Sequence, residues 1–528
     1  MGSFVWWLTC GVISMPFLAC AAVLVFRRKP GWLNACTILF SLISLLASLR
    51  LADEVLKASE PPSFDFFPAV ALYLDSLSIY FVLLVNLVAF ITSIYAIPFL
   101  KYDQQYNRFH NPAYFHAFLN LFHLTMLLVP MVDNLVILWI AVELTTIFST
   151  LLVHYQRSQW AVEASWKFLM ITTTGIIFAL LGTLFLINAI PPKTEESIMR
   201  WSMMLNRDIV NNLDKNLVML SFLFVLIGYG TKAGLAPMHT WLPDGHGEAP
   251  SPVSALLSGV MLKSALYAIL RFYVVTNLVF SPAFTSMLLI LAGLFSLILA
   301  TPFILKKNKF KRILAYHSLE HMGIITFGIG IGTSAALFGA LLHVLNHALT
   351  KALMFLVYGN IQYAHSKHLQ SSSADEEEQI SGVLKSMPLY GTFLGLGGLA
   401  LVGSPPFSIF MSKLMILWSA ISEVLHPSTT ISIPRGILIG AVVLFVVTVT
   451  MIFGGLVSHV SRVLLGKPLI RSDESKPSWY SLALMTPFVF LIFMLFVFGV
   501  CIPDWPIDFP QLLNNCVEIL QQGRVTGS

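Results

Sequence analysis

Residues 436–457 read GILIGAVVLFVVTVTMIFGGLV, twenty-two positions without one charged side chain. A helix rises 1.5 Å per residue, so such a run crosses a hydrocarbon core of roughly 30 Å. Comparable runs recur along the whole chain. Inside lipid every backbone N–H and C=O needs a partner from the protein, which leaves only helices and closed barrels as spanning structures. The runs are continuous rather than alternating, and that predicts an all-α integral membrane protein. Composition agrees. Of 528 residues 57% are hydrophobic and only 11% charged, with a mean hydropathy of +0.80, where soluble domains carry about 25% charged residues.

The runs number about fourteen, at 4–26, 31–51, 76–99, 113–131, 134–153, 166–190, 217–242, 252–274, 281–305, 313–330, 333–359, 388–423, 436–460 and 479–502. The first reads as an uncleaved span, because MGSFVWWLTCGV lacks a basic leader region and a small-residue cleavage site. Two runs, 217–242 and 388–423, are interrupted by Gly and Pro and read as broken helices. Each carries a lysine, Lys232 in GYGTKAGLAP and Lys413 in GSPPFSIFMSK. Interrupted segments at matching places in two halves point to a transport path built from a repeat. Five spans per unit is odd, so the two units are expected to be inverted. The expected organisation is 1–112 as N-terminal helices 1–3, 113–275 and 281–465 as two five-helix repeats, and 466–528 as a last helix with a short tail.

Lysine and arginine placement predicts the orientation. With the N-terminus outside the cytoplasm, 18 basic residues fall in cytoplasmic loops, anchored by KKNKFKR at 306–312, against 8 on the opposite side. Both termini are then non-cytoplasmic, in what reads as a bacterial inner membrane. The net charge of +5 lies mostly in loops, where it reports topology and not nucleic-acid binding. The five cysteines are scattered without C-x-x-C spacing, which argues against iron–sulfur or zinc sites. GLGGLA at 395–400 sits in an apolar run without a βαβ unit and reads as a helix-packing face. No cofactor or metal is expected, and any redox chemistry belongs to partner subunits.

The ionisable residues inside the runs are therefore the informative ones. Each costs roughly 2.5–3.5 kcal/mol at a helix centre, so it survives where it is paired, hydrated or useful. Glu143 lies mid-run in NLVILWIAVELTTIFSTLLV; it reads as a proton-exchanging carboxylate, or as half of a structural ion pair. Lys232 sits at a helix break whose freed backbone groups must line a protein interior or wet cavity. Snorkelling to an interface is the alternative for any such lysine, and least so for Lys232, fifteen residues into its run. His343, His347 and Lys351 are spaced i, i+4, i+8 and share one face, as a proton wire needs. The competing readings are a satisfied core histidine and, for the pair, a metal site, which lacks an acidic third ligand. Lys263 and Lys413 complete the series. Glu320 and His321 read equally as packing at the end of a span or as relay. His239, Asp244, His246 and Glu248, around TWLPDGHGEAPSPVS, read as an entrance or as a tight connection.

Several stretches carry a resemblance. GTKAGLAPMHTWLPDGHGEAPSPVSALLSG at 230–259, WIAVELTT, KRILAYHSLEHMG and HVLNHALTKALMF resemble the antiporter-like membrane subunits of complex I, multisubunit cation/proton antiporters and membrane-bound hydrogenases. AVEASWKFL and HSLEHMG are most similar to the F subunit of hydrogenase-4/formate hydrogenlyase complexes. The resemblance covers about residues 65–460. It implies fourteen helices, two inverted repeats and a central hydrophilic axis. On that axis Glu143 stands as the fifth-helix glutamate, Lys232 as the broken-helix lysine, Lys263 as the next-helix lysine, His347 and Lys351 as the eleventh-helix pair, and Lys413 as the second broken-helix charge. Hydrogenase-type relatives often have an acid where Lys413 stands. The roughly 25 residues after the last run are too few for the long lateral helix of a distal complex I subunit.

The function this implies is a proton- or cation-translocating membrane subunit of an NADH-quinone oxidoreductase or hydrogenase-type complex. The expected partners are other membrane and peripheral subunits, the lipid bilayer, and H+ or Na+. The alternatives are the membrane subunit of a cation-driven inorganic-carbon uptake system with a zinc-containing partner, and a multisubunit Na+/H+ antiporter component.

Overall fold

Continuous apolar sequence becomes continuous helix throughout the chain. The computed structural model describes residues 2–67, 70–105, 111–190, 199–368, 380–427, 433–467 and 485–522. Of the expected topology signals, Arg108, Lys193, Arg471, Lys476, Arg524 and the stretch 479–484 lie outside the described residues. The helices are α1 (Gly2–Val25), α2 (Pro30–Lys57), α3 (Ser76–Gln105), α4 (Pro112–Met131), α5 (Leu135–His154), α6 (Gln159–Asn188), α7 (Lys215–Ala233), α8 (Trp241–Glu248), α9 (Ser251–Val279), α10 (Pro282–Leu305), α11 (Phe310–Ile331) and α12 (Ser334–His368). They continue as α13 (Pro388–Val402), α14 (Ser408–Leu425), α15 (Arg435–Leu465), α16 (Thr486–Val500) and α17 (Phe509–Gln521).

Twelve of these are long and apolar enough to cross a membrane, and α13 and α16 are shorter apolar helices. α11 has the length, 22 residues, but its polar content (Lys311, Arg312, His317, Glu320, His321) sets it apart. Burial sorts the helices. α1, α2, α6 and α15 expose most of their surface, whereas the apolar windows of α9 and α12 are buried throughout. A helix apolar on all sides belongs in the middle of a bundle. These two central helices carry Lys263, His343, His347 and Lys351.

Both expected breaks are present and have the same local cause. α7 ends at Gly234, in the left-handed region at φ +76°, with the Leu235 N–H donating to Gly230 O at 2.8 Å. α13 ends at Gly403, φ +83°, with the Ser404 N–H donating to Leu399 O at 3.0 Å. This is the glycine cap that turns a chain out of a helix while satisfying its last carbonyls. Prolines at 237, 405 and 406 then prevent helix from resuming at once. A further irregularity was not expected. Residues Leu257–Met261 of α9 form a π-helical turn, which frees a carbonyl beside Lys263.

Two elements depart from the all-helical expectation of spans alone. A short antiparallel hairpin pairs Ser63–Phe67 with Val70–Tyr73, Ser63 opposite Tyr73. Its Ala71 carbonyl accepts from Asp133 N at 2.9 Å, tying it to the α4–α5 connection. After α16 the chain forms the amphipathic helix α17. Its Leu512, Leu513, Cys516, Val517 and Leu520 are buried, and Asp508 caps its start by accepting from Gln511 N.

An L-residue in the left-handed region is disfavoured by roughly 1–2 kcal/mol. Gly234→Ala also brings a Cβ into the Leu242 side chain, whereas Gly436 has open space around it. Gly234→Ala is expected to lower the thermal midpoint in detergent and Gly436→Ala to leave it unchanged, as followed by tryptophan fluorescence. Equal midpoints for the two variants would contradict the capping role of Gly234.

Candidate functional site

Two groups of charged side chains hold the residues expected on the central axis. The first joins α5, α6 and α7. Asn134 caps α5 by accepting from Val136 N and Ile137 N, and nine residues on, Glu143 leaves the helix half-buried. Its Oε1 accepts from Thr173 Oγ1 at 2.9 Å and its Oε2 from Thr146 Oγ1 at 3.2 Å. Lys232, fully buried in the last turn of α7, donates to Val142 O at 2.7 Å and to the Thr146 hydroxyl. Glu143 and Lys232 therefore meet through Thr146 and not directly. A hydroxyl that accepts from an ammonium and donates to a carboxylate can hand a proton either way by rotating.

The second group joins α11, α12 and α14, with Lys263 of α9 beside it. Lys413, 13% exposed, donates to Glu320 Oε1 at 3.2 Å and to Val402 O, the carbonyl just before the Gly403 break. Glu320 is 1% exposed, and its Oε2 lies 2.6 Å from His317 Nδ1. His321 Nδ1 shares a hydrogen bond of 2.9 Å with His343 Nε2, whose other nitrogen reaches Ser412 Oγ at 2.8 Å. The His347 ring stacks on His321 with centroids 4.6 Å apart. Lys351 donates to Leu314 O at 2.5 Å, and Lys263 donates to Ser258 O, a carbonyl of the π turn. Ser258 in turn bonds Ser318 at 2.7 Å, joining α9 to α11. The nitrogens His347 Nδ1 and Nε2, His317 Nε2 and His321 Nε2 face no protein partner, although all three side chains are buried. Buried polar atoms of this kind are satisfied by internal water.

The expected entrance residues divide. Asp244 lies at the surface under the basic loop, accepting from Arg312 at 2.6 Å and Lys167 at 3.3 Å. Lys311 donates to Ala249 O at 3.0 Å. His246 is turned inward, between the rings of Trp241 and Phe355, with neither nitrogen partnered by protein. His239 Nδ1 donates to Pro237 O at 3.1 Å, within the α7 break. Glu248 is half-buried at the end of α8.

Sequence reasoning missed His317 and Thr146 and left Glu320 and His321 undecided. The signal was the pattern H-x-x-E-H. At spacings of three and four the three side chains share one face, and a helix with no outward-facing surface has no solvent to place them in. His317, Glu320 and His321 are also close enough to hold a metal ion, their ligand atoms all within 4.8 Å. Here both carboxylate oxygens are already engaged, by Lys413 and by His317.

Comparison with known proteins places this arrangement. The family described as "NADH:quinone oxidoreductase/Mrp antiporter, TM" matches residues 132–437, and "NADH-Ubiquinone oxidoreductase (complex I), chain 5 N-terminus" matches residues 63–110. The Hydrogenase-4 component F homolog of Methylacidiphilum infernorum (isolate V4) is 34% identical over 97% of this chain and 99% of its own length. Hydrogenase-4 component B of Escherichia coli (strain K12) is 29% identical over 69% of this chain. The Na(+)/H(+) antiporter subunit A1 of Staphylococcus haemolyticus (strain JCSC1435) is 28% identical over 90% of this chain. The chain spans about half the length of these last two, 52% and 56%. Among solved structures, a chain of the membrane-bound sulfane sulfur reductase, an archaeal respiratory membrane complex, superposes with a TM-score of 0.79 at 22% identity over 97% of both chains. A chain of the Mrp complex from Dietzia sp. DQ12-45-1b gives a TM-score of 0.79 at 18% identity, covering 98% of this chain and 97% of that one. The fold and the matched residues thus define a multi-pass membrane protein of the antiporter-like class. The chain belongs to the NADH:quinone oxidoreductase/Mrp antiporter membrane-subunit family.

Removing one partner of a buried ion pair costs about 3–5 kcal/mol, whereas replacing both by apolar groups is often nearly neutral. Glu320→Leu is therefore expected to lower thermal stability sharply, and Glu320→Leu combined with Lys413→Met to recover most of the loss. Additive losses in the double variant, measured by unfolding in detergent, would show that the two groups are not coupled.

Proposed function

We propose that this chain is a proton-translocating membrane subunit of a respiratory or hydrogenase-type oxidoreductase complex. The observation that carries the reading is the confinement of His343, His347, Lys351 and Lys263 to two helices buried on every side. Charge-capable groups there face other titratable groups and not lipid. Family membership over nearly the full length, with a hydrogenase-4 relative at 34% identity, supports the same conclusion.

The mechanism follows from the two groups. A shift of charge in a neighbouring subunit changes the field at Glu143, which is only half-buried. Its carboxylate then pulls on Lys232 through Thr146, or releases it, and the ammonium gives up or gains a proton accordingly. The proton passes by Lys263 to His347 and Lys351, then through His321 and Glu320 to Lys413 at the second break. Internal water at the unpartnered nitrogens of His246 and His347 joins these steps.

H+ fits the site better than Na+. The carboxylates of Glu143 and Glu320 are each held by cations or hydroxyl donors, with lysines and histidines around them, leaving no cage of free oxygens at either group. The Glu143 side of the bundle also points to a partner. Ile140 and Ile147, flanking Glu143 along α5, are exposed, as is Ile177 on α6. A half-buried carboxylate within an apolar surface is poorly suited to lipid, and a second membrane subunit covering this face would enclose it. The lysine and arginine bias, with Asp244 bound to Arg312 and Lys167 beneath the KKNKFKR loop, supports a cytoplasmic location for that loop and non-cytoplasmic termini. A bacterial inner membrane suits both.

Removing Thr146's hydroxyl isolates the two charges without altering either. Thr146→Val is expected to reduce proton translocation by the assembled complex by about a hundredfold or more, the usual scale for losing a positioned proton-transfer group, while Thr146→Ser retains most of it. Glu143→Gln and Lys232→Ala should abolish pumping. Proton uptake into inside-out vesicles, with subunit assembly checked in parallel, reads all four variants. Wild-type pumping by correctly assembled Glu143→Gln and Lys232→Ala forms would overturn the mechanism.

A further inference from the structure

The end of α9 beyond Lys263 holds a third charged group that the route above does not use. Arg271 is 1% exposed and Asp75, just before α3, is 5% exposed. The guanidinium is bidentate on the carboxylate, Nη1 to Oδ2 at 2.7 Å and Nη2 to Oδ1 at 2.6 Å. Nη2 also donates to Ser78 Oγ at 2.9 Å, and Nε to Tyr267 Oη at 2.8 Å. Its plane lies 3.8 Å from the Trp201 ring centre and 4.7 Å from that of Tyr267. Tyr267 Oη further donates to Pro130 O at 2.9 Å.

Placement gives this group its meaning. Lys263, Tyr267 and Arg271 are spaced i, i+4, i+8 along α9, so they lie on one stripe about 12 Å long. Farther out come Asp133, hydrogen-bonded to Ser202 at 2.6 Å, and the surface pair Arg200–Asp65. A tyrosine, a serine and a carboxylate in that order would form a short proton ladder from Lys263 to the surface at the hairpin end. Arginine breaks the ladder in two ways. It stays charged at every physiological pH and offers donors only, so it cannot accept a proton and pass it on. It also donates to Tyr267, Ser78 and Asp75 at once, holding all three around a fixed positive charge.

We propose that Arg271 and Asp75 form a seal closing the hairpin end of α9 to protons, so that a proton arriving at Lys263 must pass sideways to the α11–α12 group instead of leaking out. The inference rests on the proton-path reading given above. A pair that merely pinned α3 to α9 would need the fork geometry, whereas a seal needs a resident cation and no free acceptor.

The test uses the complex as assembled, reconstituted in liposomes with an internal pH dye and an imposed pH gradient but no electron donor. Asp75→Asn/Arg271→Met leaves no buried charge unpaired and carries the test where Arg271→Met alone fails to assemble. Passive proton leak is expected to rise about tenfold in these variants once the electrostatic barrier is gone. It should rise partway in Arg271→Lys, whose amine can lose and regain a proton where a guanidinium cannot, and fall back when Lys263→Met is added. Tight vesicles from the assembled neutral pair, or a leak indifferent to Lys263→Met, would overturn the seal. The parent reading is judged separately by Lys263→Met under donor-driven turnover. Loss of pumping there alongside a tight neutral pair defeats the seal alone, and unimpaired pumping defeats the path on which it rests.

Discussion

Hydrocarbon cannot solvate an ammonium or a carboxylate, and the structure is organised around that fact. Each intramembrane lysine named above is held by a hydroxyl, a backbone carbonyl or an opposite charge. Lys232 takes Val142 O and Thr146; Lys263 takes a carbonyl of the π turn; Lys413 takes Glu320 and the carbonyl before the Gly403 break. Helix irregularities supply the acceptors of Lys263 and Lys413, whereas Lys232 and Lys351 take carbonyls of the continuous helices α5 and α11.

The same constraint explains the concentric plan. α9 and α12, which carry Lys263, His343, His347 and Lys351, are enclosed by the other helices, and the outer helices α1, α2, α6 and α15 expose apolar residues. Glu143 is the exception. It is reached by Thr173 and Thr146 but remains half-buried, at the rim of the bundle. A group at the rim senses a neighbour, and a group at the centre does not. On the proposed path the division gives an input near Glu143, an interior relay, and an Arg271–Asp75 pair away from both.

Much of this was legible in the sequence. Apolar runs placed every long helix, because in lipid the backbone has only one economical solution. Gly234 and Gly403 marked both breaks, because glycine followed shortly by proline does little else inside an apolar run. Lys232, Lys263, His343, His347 and Lys351 stood out as charges without solvent. What stayed hidden was partnership. Glu320 looked like a residue at the end of a span next to the basic loop; only the packing of α14 against α11 and α12 brings Lys413 to it. Thr146 is an ordinary hydroxyl until Lys232 arrives from 86 residues away. The π turn leaves no compositional trace in SALLSGVM. The hairpin at 63–73 is too short to register, and α17 is amphipathic where the search was for apolar runs.

The central claim is that the interior charges are joined by water into one route. A high-resolution cryo-EM map of the assembled complex tests it most directly. The account predicts ordered water density within hydrogen-bonding distance of the His246 and His347 nitrogens, linking Lys232 to Lys263 and Lys263 to Lys351. Packed side chains filling those intervals, with the imidazole nitrogens against hydrocarbon and no water between, would contradict it.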